Sequence, residues 1–229
     1  VRTRSLCVKK IVMNMIELQN VKVTYSTGDG IERISFNVAP GEMVFLVGPS
    51  GAGKSTVLKT IYLEEWPEEG HVRVADFHSL FIKNKDIPYL RRHLGVVFQD
   101  FKLLHDRDVF SNVSFVLEVI GQRKKEIKRH VLRALADVGL SHKSRKYPME
   151  LSGGEQQRVS IARAIVNEPN IVLADEPTGN LDPVTASEIL DVLVRIHSRG
   201  TAVLLATHNY NMVKDYKGRI IRIEHGHLV

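Results

Sequence analysis

Apolar positions along the chain fall into two kinds of run. Ile16 to Thr24 alternates well enough for a strand, and Ile34-Ser35-Phe36-Asn37-Val38 alternates again after the turn residues Gly28-Asp29-Gly30. His71 to Asp76 is a third short alternating stretch. Other runs are continuously apolar: Met43 to Val47, Gly95 to Phe98, Ile171 to Ala174 and Thr201 to Ala206. Runs of that length read as buried strands. Arg219 to Glu224 is expected to be the strand that ends the fold.

Between these runs the period lengthens. Thr56 to Ile61 reads as a helix directly after the first buried strand. From Gln99 to Leu151 the pattern is helical, with Ile127, Val131, Leu135 and Val138 at helical spacing. A further helix is expected after Gly154, and a long one from Pro183 to Ser198 that Gly200 closes. Strands and helices in this order give an α/β fold, and the chain carries no internal repeat or low-complexity linker.

One loop adds chemistry to that frame. Gly48-Pro49-Ser50-Gly51-Ala52-Gly53-Lys54-Ser55 satisfies G-x-x-x-x-G-K-[ST] and lies between the Met43–Val47 strand and the helix that Thr56 enters. Such a loop aims backbone N–H groups and a positive helix end at one spot, which suits a triphosphate. Lys54 would reach the β- and γ-phosphates, and the Ser55 hydroxyl would ligate Mg²⁺. The chain is expected to bind a nucleoside triphosphate, ATP.

A second cluster narrows the class. Leu151-Ser152-Gly153-Gly154-Glu155-Gln156-Gln157 resembles, in every position, the signature of the ATP-binding cassette (ABC) ATPases. The strand at Ile171 then ends in Asp175-Glu176, at the carboxyl end where parallel sheets gather their ligands. The resemblance runs from Tyr25 to about Gly226. It implies a P-loop NTPase nucleotide-binding domain over 15–229, with a RecA-like parallel core, an antiparallel β subdomain and a helical subdomain over about 100–152. It also implies ATP hydrolysis at two composite sites in a homodimer. There Asp175 holds the Mg²⁺ shell and Glu176 is the general base.

The same resemblance gives roles to scattered residues. Tyr25 would stack on adenine, and Gln99 would touch Mg²⁺ and the attacking water while its loop reports to a membrane partner. Phe101, Leu103 and Leu104 after it fit either a buried position or a groove for a partner helix. Ser152, Gly153, Gly154 and Gln156 would face the γ-phosphate held by the second copy. Ser152 and Glu155 also form a capping box, which leaves the double glycine to be explained by close approach to a ligand. Asp182-Pro183 reads as an N-cap with proline at the first helical position, and Asp182 would also cross the dimer interface. His208 would contact the γ-phosphate and orient Glu176.

Composition bounds the partners. The 229 residues are 43% hydrophobic and 25% charged, as in an ordinary globular domain. No apolar run approaches the roughly 18 residues of a membrane span. Cys7 is alone, which excludes an internal disulfide and points to a reducing cytosol. The formal charge of +6 is too mild to argue for nucleic acid. Residues 1–14 carry Arg2, Arg4, Lys9 and Lys10 without an acid and are expected to be disordered. They read either as an extension ahead of a start near Met13 or Met15, or as a tail on anionic lipid headgroups.

Within the ABC family, Ala174-Asp175-Glu176-Pro177-Thr178-Gly179-Asn180-Leu181-Asp182 is similar to the branch of macrolide exporters, lipoprotein release and bacterial cell division. Residues 45–53 and 91–104 most resemble the cell-division members. That resemblance implies an integral membrane partner of the FtsX type, other division proteins around it, and a peripheral place on the cytoplasmic face of the bacterial inner membrane. Ala75, Asp108 and Asn209 depart from the pattern, which more often has a glycine, a threonine and an acid there.

Overall fold

The structure is a computed structural model that describes residues 14–229. The basic tail expected over 1–14 therefore lies outside the described residues, Asn14 apart.

Strands β1 (Ile16–Thr24), β2 (Gly30–Val38), β4 (Glu69–Val74) and β5 (Phe77–His78) form an antiparallel sheet in the order β2-β1-β4-β5. A larger sheet has the order β10-β9-β3-β8-β7-β6, built from β3 (Met43–Val47), β6 (Leu94–Val97), β7 (Ile171–Asp175), β8 (Ala202–Thr207), β9 (Arg219–Glu224) and β10 (His227–Leu228). Its neighbours run parallel except for the β9–β10 pair. The chain thus does not end its fold at Glu224. Gly226 turns it back, and two further residues pair with β9.

β2 starts at Gly30, four residues before the alternation becomes visible at Ile34. Ile31 and Ile34 are both buried although three apart, because Arg33 sits at φ 52 and resets the phase. Asn20, at φ 49, does the same in β1, where the register slips between Leu18 and Val21. Each is a bulge that lets a strand keep one face on the core while it bends.

The helices are α1 (Lys54–Ile61), α2 (Ile87–Arg92), α3 (Val109–Val119), α4 (Lys124–Asp137), α5 (Gly153–Ile165), α6 (Pro183–His197) and the single turn α7 (Tyr210–Val213). Every residue of β3 is buried, as a central parallel strand requires. Its side chains alternate between two cores. Val44 and Leu46 pack with Val57, Leu58 and Ile61 of α1 and with the antiparallel sheet. Met43, Phe45 and Val47 face the other way, into the core shared by α3, α4, α5 and α6. Helix α4 contributes Ile127, Val131 and Leu135 there, and Val138 follows as its C-cap.

The register of the parallel sheet positions the site. Val47 pairs with Thr207, Ala206 with Asp175, and Ala174 with Val97. The carboxyl ends of four strands are therefore level, and the residues that follow them emerge along one edge. Gly48, His208 and Glu176 follow their strands directly, and Gln99 comes one residue later, after Phe98.

Candidate functional site

The loop from Gly48 to Gly53 is shaped by what surrounds it. A side chain at Gly48 would come within 2.0 Å of the Ile223 carbonyl oxygen, so only glycine fits where the loop leaves β3. Gly53 caps α1 at φ 102, a conformation that costs other residues about 1–2 kcal/mol. No side chain caps α1, so its first-turn N–H groups stay available to a ligand. A cavity of about 150 Å³ lies against them, lined by Gly51, Lys54, Ser55 and Thr56 on one side and by Tyr25, Asp29 and Gly30 on the other. The Tyr25 hydroxyl reaches Thr56 Oγ1 at 3.4 Å.

Lys54 is buried and fully occupied. Its ammonium donates to the carbonyls of Gly48 at 2.8 Å and Pro49 at 2.9 Å, and pairs with Glu176 Oε1 at 3.2 Å. The two side chains are only 5% and 11% exposed, so water screens the pair little. The other oxygen of Glu176 faces His208, accepting from its backbone N–H at 3.3 Å and lying 2.9 Å from Nδ1. Glu176 itself stands at φ 44 directly before Pro177, where an extended conformation is the norm. Its N–H donates to Ala206 of β8, which fixes the strained residue on the sheet edge.

Ser55 donates to Asp175 Oδ1 at 3.1 Å, which brings together two of the three residues expected at Mg²⁺. Two hard oxygen donors at the foot of a phosphate loop fit that ion. Burial holds the Asp175 carboxyl above its usual range, Glu176 beside it adds to this, and the Ser55 hydroxyl opposes it. Gln99 is the third expected ligand. It lies exposed against the 179–180 turn, with Asn180 Nδ2 3.5 Å from its carbonyl oxygen, and makes no hydrogen bond to Ser55 or Asp175.

The signature segment stands apart from the loop. Ser152 caps α5, its Oγ accepting from the Glu155 N–H at 3.3 Å while Glu155 accepts from the Ser152 N–H at 3.0 Å. Lys143 pairs with the same carboxylate and, as the largest cause, holds it below its ordinary value of 4.5. The two glycines of the signature differ in their surroundings. A Cβ on Gly154 would lie 2.3 Å from Thr185 Cγ2, so packing against α6 is by itself a reason for glycine there. Only Gly153, whose Cβ would meet Leu181 at 3.5 Å, has room to spare. Gln156 donates to the Leu151 carbonyl at 3.2 Å. Asp182 caps α6 as expected, its Oδ1 accepting from Val184 and Thr185 at 3.1 Å each.

The apolar residues after Gln99 divide. Leu103 is buried in the helical core, and Leu104 lines a groove of about 590 Å³ with Leu94, Phe98, Phe115, Val119 and Ile120. Two residues that the sequence did not single out hold this loop. Arg163 of α5 donates to the carbonyls of Phe101 at 2.8 Å and Lys102 at 2.6 Å, both residues at positive φ. Buried Asn112 donates to the carbonyls of Leu104, Arg107 and Asp108 and accepts from the Leu104 N–H. Asp108 and Asn209, two departures from the family pattern, are N-caps: Asp108 accepts from Ser111 and Asn209 from Met212.

The model of the family described as ABC transporter matches residues 31–179. The chain belongs to the ABC transporter family. Among the relatives of this ABC chain is the protein named cell division ATP-binding protein FtsE of Bacillus subtilis, 53% identical over 216 residues that cover 94% of this chain and 95% of the relative. The protein of that name in Escherichia coli is 44% identical and covers 93% of this chain and 97% of the relative. Solved ABC structures superpose closely. CbiO1 of Clostridium perfringens, part of the ABC transporter complex cbiONQ, gives a TM-score of 0.86 at 30% identity, covering 94% of this chain and 87% of that one. The MJ0796 cassette, as a dimer bound to ADP and Pi, gives 0.83 at 33% identity, covering 93% and 96%.

Proposed function

We propose that this chain is the ATP-hydrolysing subunit of a membrane ABC complex, acting in bacterial cell division with an integral membrane partner of the FtsX type. The observation that carries the catalytic part is the convergence of Lys54, Glu176, His208, Ser55 and Asp175 on one sheet edge beside the capless start of α1. The division role rests on the likeness to the proteins named FtsE.

The residues act in a sequence that their contacts suggest. Lys54 holds Glu176 in the resting site. A γ-phosphate offers it a stronger anion, and its departure frees Glu176 Oε1. His208 keeps the other carboxylate oxygen in place, so the free oxygen is aimed to take a proton from water. Ser55 and Asp175 would hold Mg²⁺, which supplies neutralising charge on the phosphates. Tyr25 would stack on adenine. Ser152, Gly153, Gly154 and Gln156 would meet the phosphate across a homodimer; within one copy no hydrogen bond among the described residues joins them to the loop.

The helical region of about 100–152 contributes one wall of the 590 Å³ groove, whose apolar floor suits a short helix of the membrane partner. No helix among the described residues is long and apolar enough to cross a membrane. The test is affinity capture from native membranes with Glu176→Gln in the presence of ATP. Recovery of a four-span division protein supports the reading. Recovery of a lipoprotein-release or drug-efflux permease would leave the catalytic roles standing and replace the biological one.

A further inference from the structure

The turn after β5 carries a feature that nucleotide chemistry does not use. Leu80 and Phe81 are adjacent and are 63% and 78% exposed, among the most exposed large apolar side chains of the described residues. They are not on a loose loop. Ser79 before them is buried, its N–H donating to the Val72 carbonyl at 2.8 Å and its Oγ accepting from the Val72 N–H at 3.0 Å. Ile82 after them packs on the core beneath the antiparallel sheet, and its N–H donates to the His78 carbonyl at 2.9 Å. The His78 ring lies 5.0 Å from the Phe81 ring and props it from below. With both flanks anchored, the two apolar side chains cannot fold back into the protein.

Charge surrounds this wedge on one side. Lys83 and Lys85 follow at once, both exposed and neither in an ion pair among the described residues. Asp86, partly buried directly after Lys85, is the one acid from Leu80 to Arg92, against Lys83, Lys85, Arg91 and Arg92. Further along, exposed Arg92 stacks over the half-exposed ring of Tyr89 at 4.6 Å. Two projecting apolar side chains are far short of the roughly 800 Å² per partner that a stable protein interface buries. They suit a yielding medium, and the free lysines set the sign of its surface.

We propose that the Leu80–Lys85 turn contacts lipid, seating Leu80 and Phe81 at the acyl boundary of an anionic bilayer while Lys83 and Lys85 meet its phosphates. The contact belongs to this chain and needs no membrane partner. It orients the ATPase at the membrane surface with α2, which also borders the apolar groove, turned toward the bilayer.

The test is co-sedimentation of the full chain with phosphatidylcholine vesicles, with and without phosphatidylglycerol. The parent binds the phosphatidylglycerol vesicles. Leu80→Ser/Phe81→Ser weakens that binding at least about tenfold. Lys83→Glu/Lys85→Glu weakens it at least about tenfold and abolishes the preference for phosphatidylglycerol. ATP affinity stays unchanged in both, which reports an intact fold. If the apolar variant loses ATP affinity, the lysine variant, altered only in solvent, decides. Parent-like sedimentation of the lysine variant overturns the proposal, as does a parent that binds neither vesicle.

Discussion

Replacing Glu176 by glutamine should do two opposite things to the same protein. In the resting site Glu176 Oε1 and Lys54 Nζ are 3.2 Å apart and almost fully enclosed. At an effective dielectric constant of about 20, that separation corresponds to a gross attraction of roughly 5 kcal/mol. Most of it offsets the desolvation of the two ions, and a net competition of about 1–2 kcal/mol against an incoming phosphate remains. Glutamine removes the competitor, and it also removes a negative charge from beside the γ-phosphate. Both changes act in one direction, so ATP should bind about tenfold more tightly, since 1.4 kcal/mol is a factor of ten. Turnover should fall by about 10²–10⁴, the usual contribution of a general base. Titration with a fluorescent ATP analogue measures the first effect, and phosphate release at saturating ATP measures the second. Because the pair is enclosed, the affinity gain should persist at high salt. Unchanged or weaker ATP affinity would refute the idea that Glu176 competes for Lys54. Hydrolysis at the parent rate would refute its role as base.

Three further outcomes are expected. Gly154→Ala should destabilise the fold by about 1–3 kcal/mol through the clash with Thr185, and Thr185→Ser, which removes the offending methyl, should restore most of it in urea denaturation. Ala75→Gly should raise the melting temperature by about 2 °C, because Ala75 bears φ 49 in the β4–β5 turn where the family more often has glycine. The capping box at α5 should weaken in acid. Lys143 holds Glu155 below 4.5, so its stabilisation is present above that pH and is lost as pH falls through the depressed folded value. Lys143→Met, which removes the largest cause of that depression, should flatten the acid limb in melting curves taken from neutral pH downward.

Much of the site was legible because chemistry and periodicity coincide there. The run Met43–Val47 is apolar on both faces since β3 separates two cores, and the loop it feeds has its glycines where close approach and positive φ demand them. Other features depend on partners remote in sequence. The reason for Gly154 is a methyl on Thr185, and the occupant of Lys54 is Glu176, more than a hundred residues away. The early part of β2 has no visible period because the bulge at Arg33 breaks the two-residue alternation between Ile31 and Ile34. With two residues, β10 is too short to have a period at all. Asn112 and Arg163 are ordinary polar residues on helices until the carbonyls they hold are seen.

Helix α5 deserves a mechanical description. Its capped end, at Ser152, belongs to the segment expected to close on a second copy, and near its other end Arg163 grips the backbone of Phe101 and Lys102. Eleven residues separate the two points, about 16 Å at 1.5 Å per residue. A rod of that length does not compress. A tilt imposed at the cap must therefore swing the turn at the far end, and with it Lys102 on the wall of the groove. One helix would act as a lever arm between the face expected to meet nucleotide and the groove proposed to receive a partner.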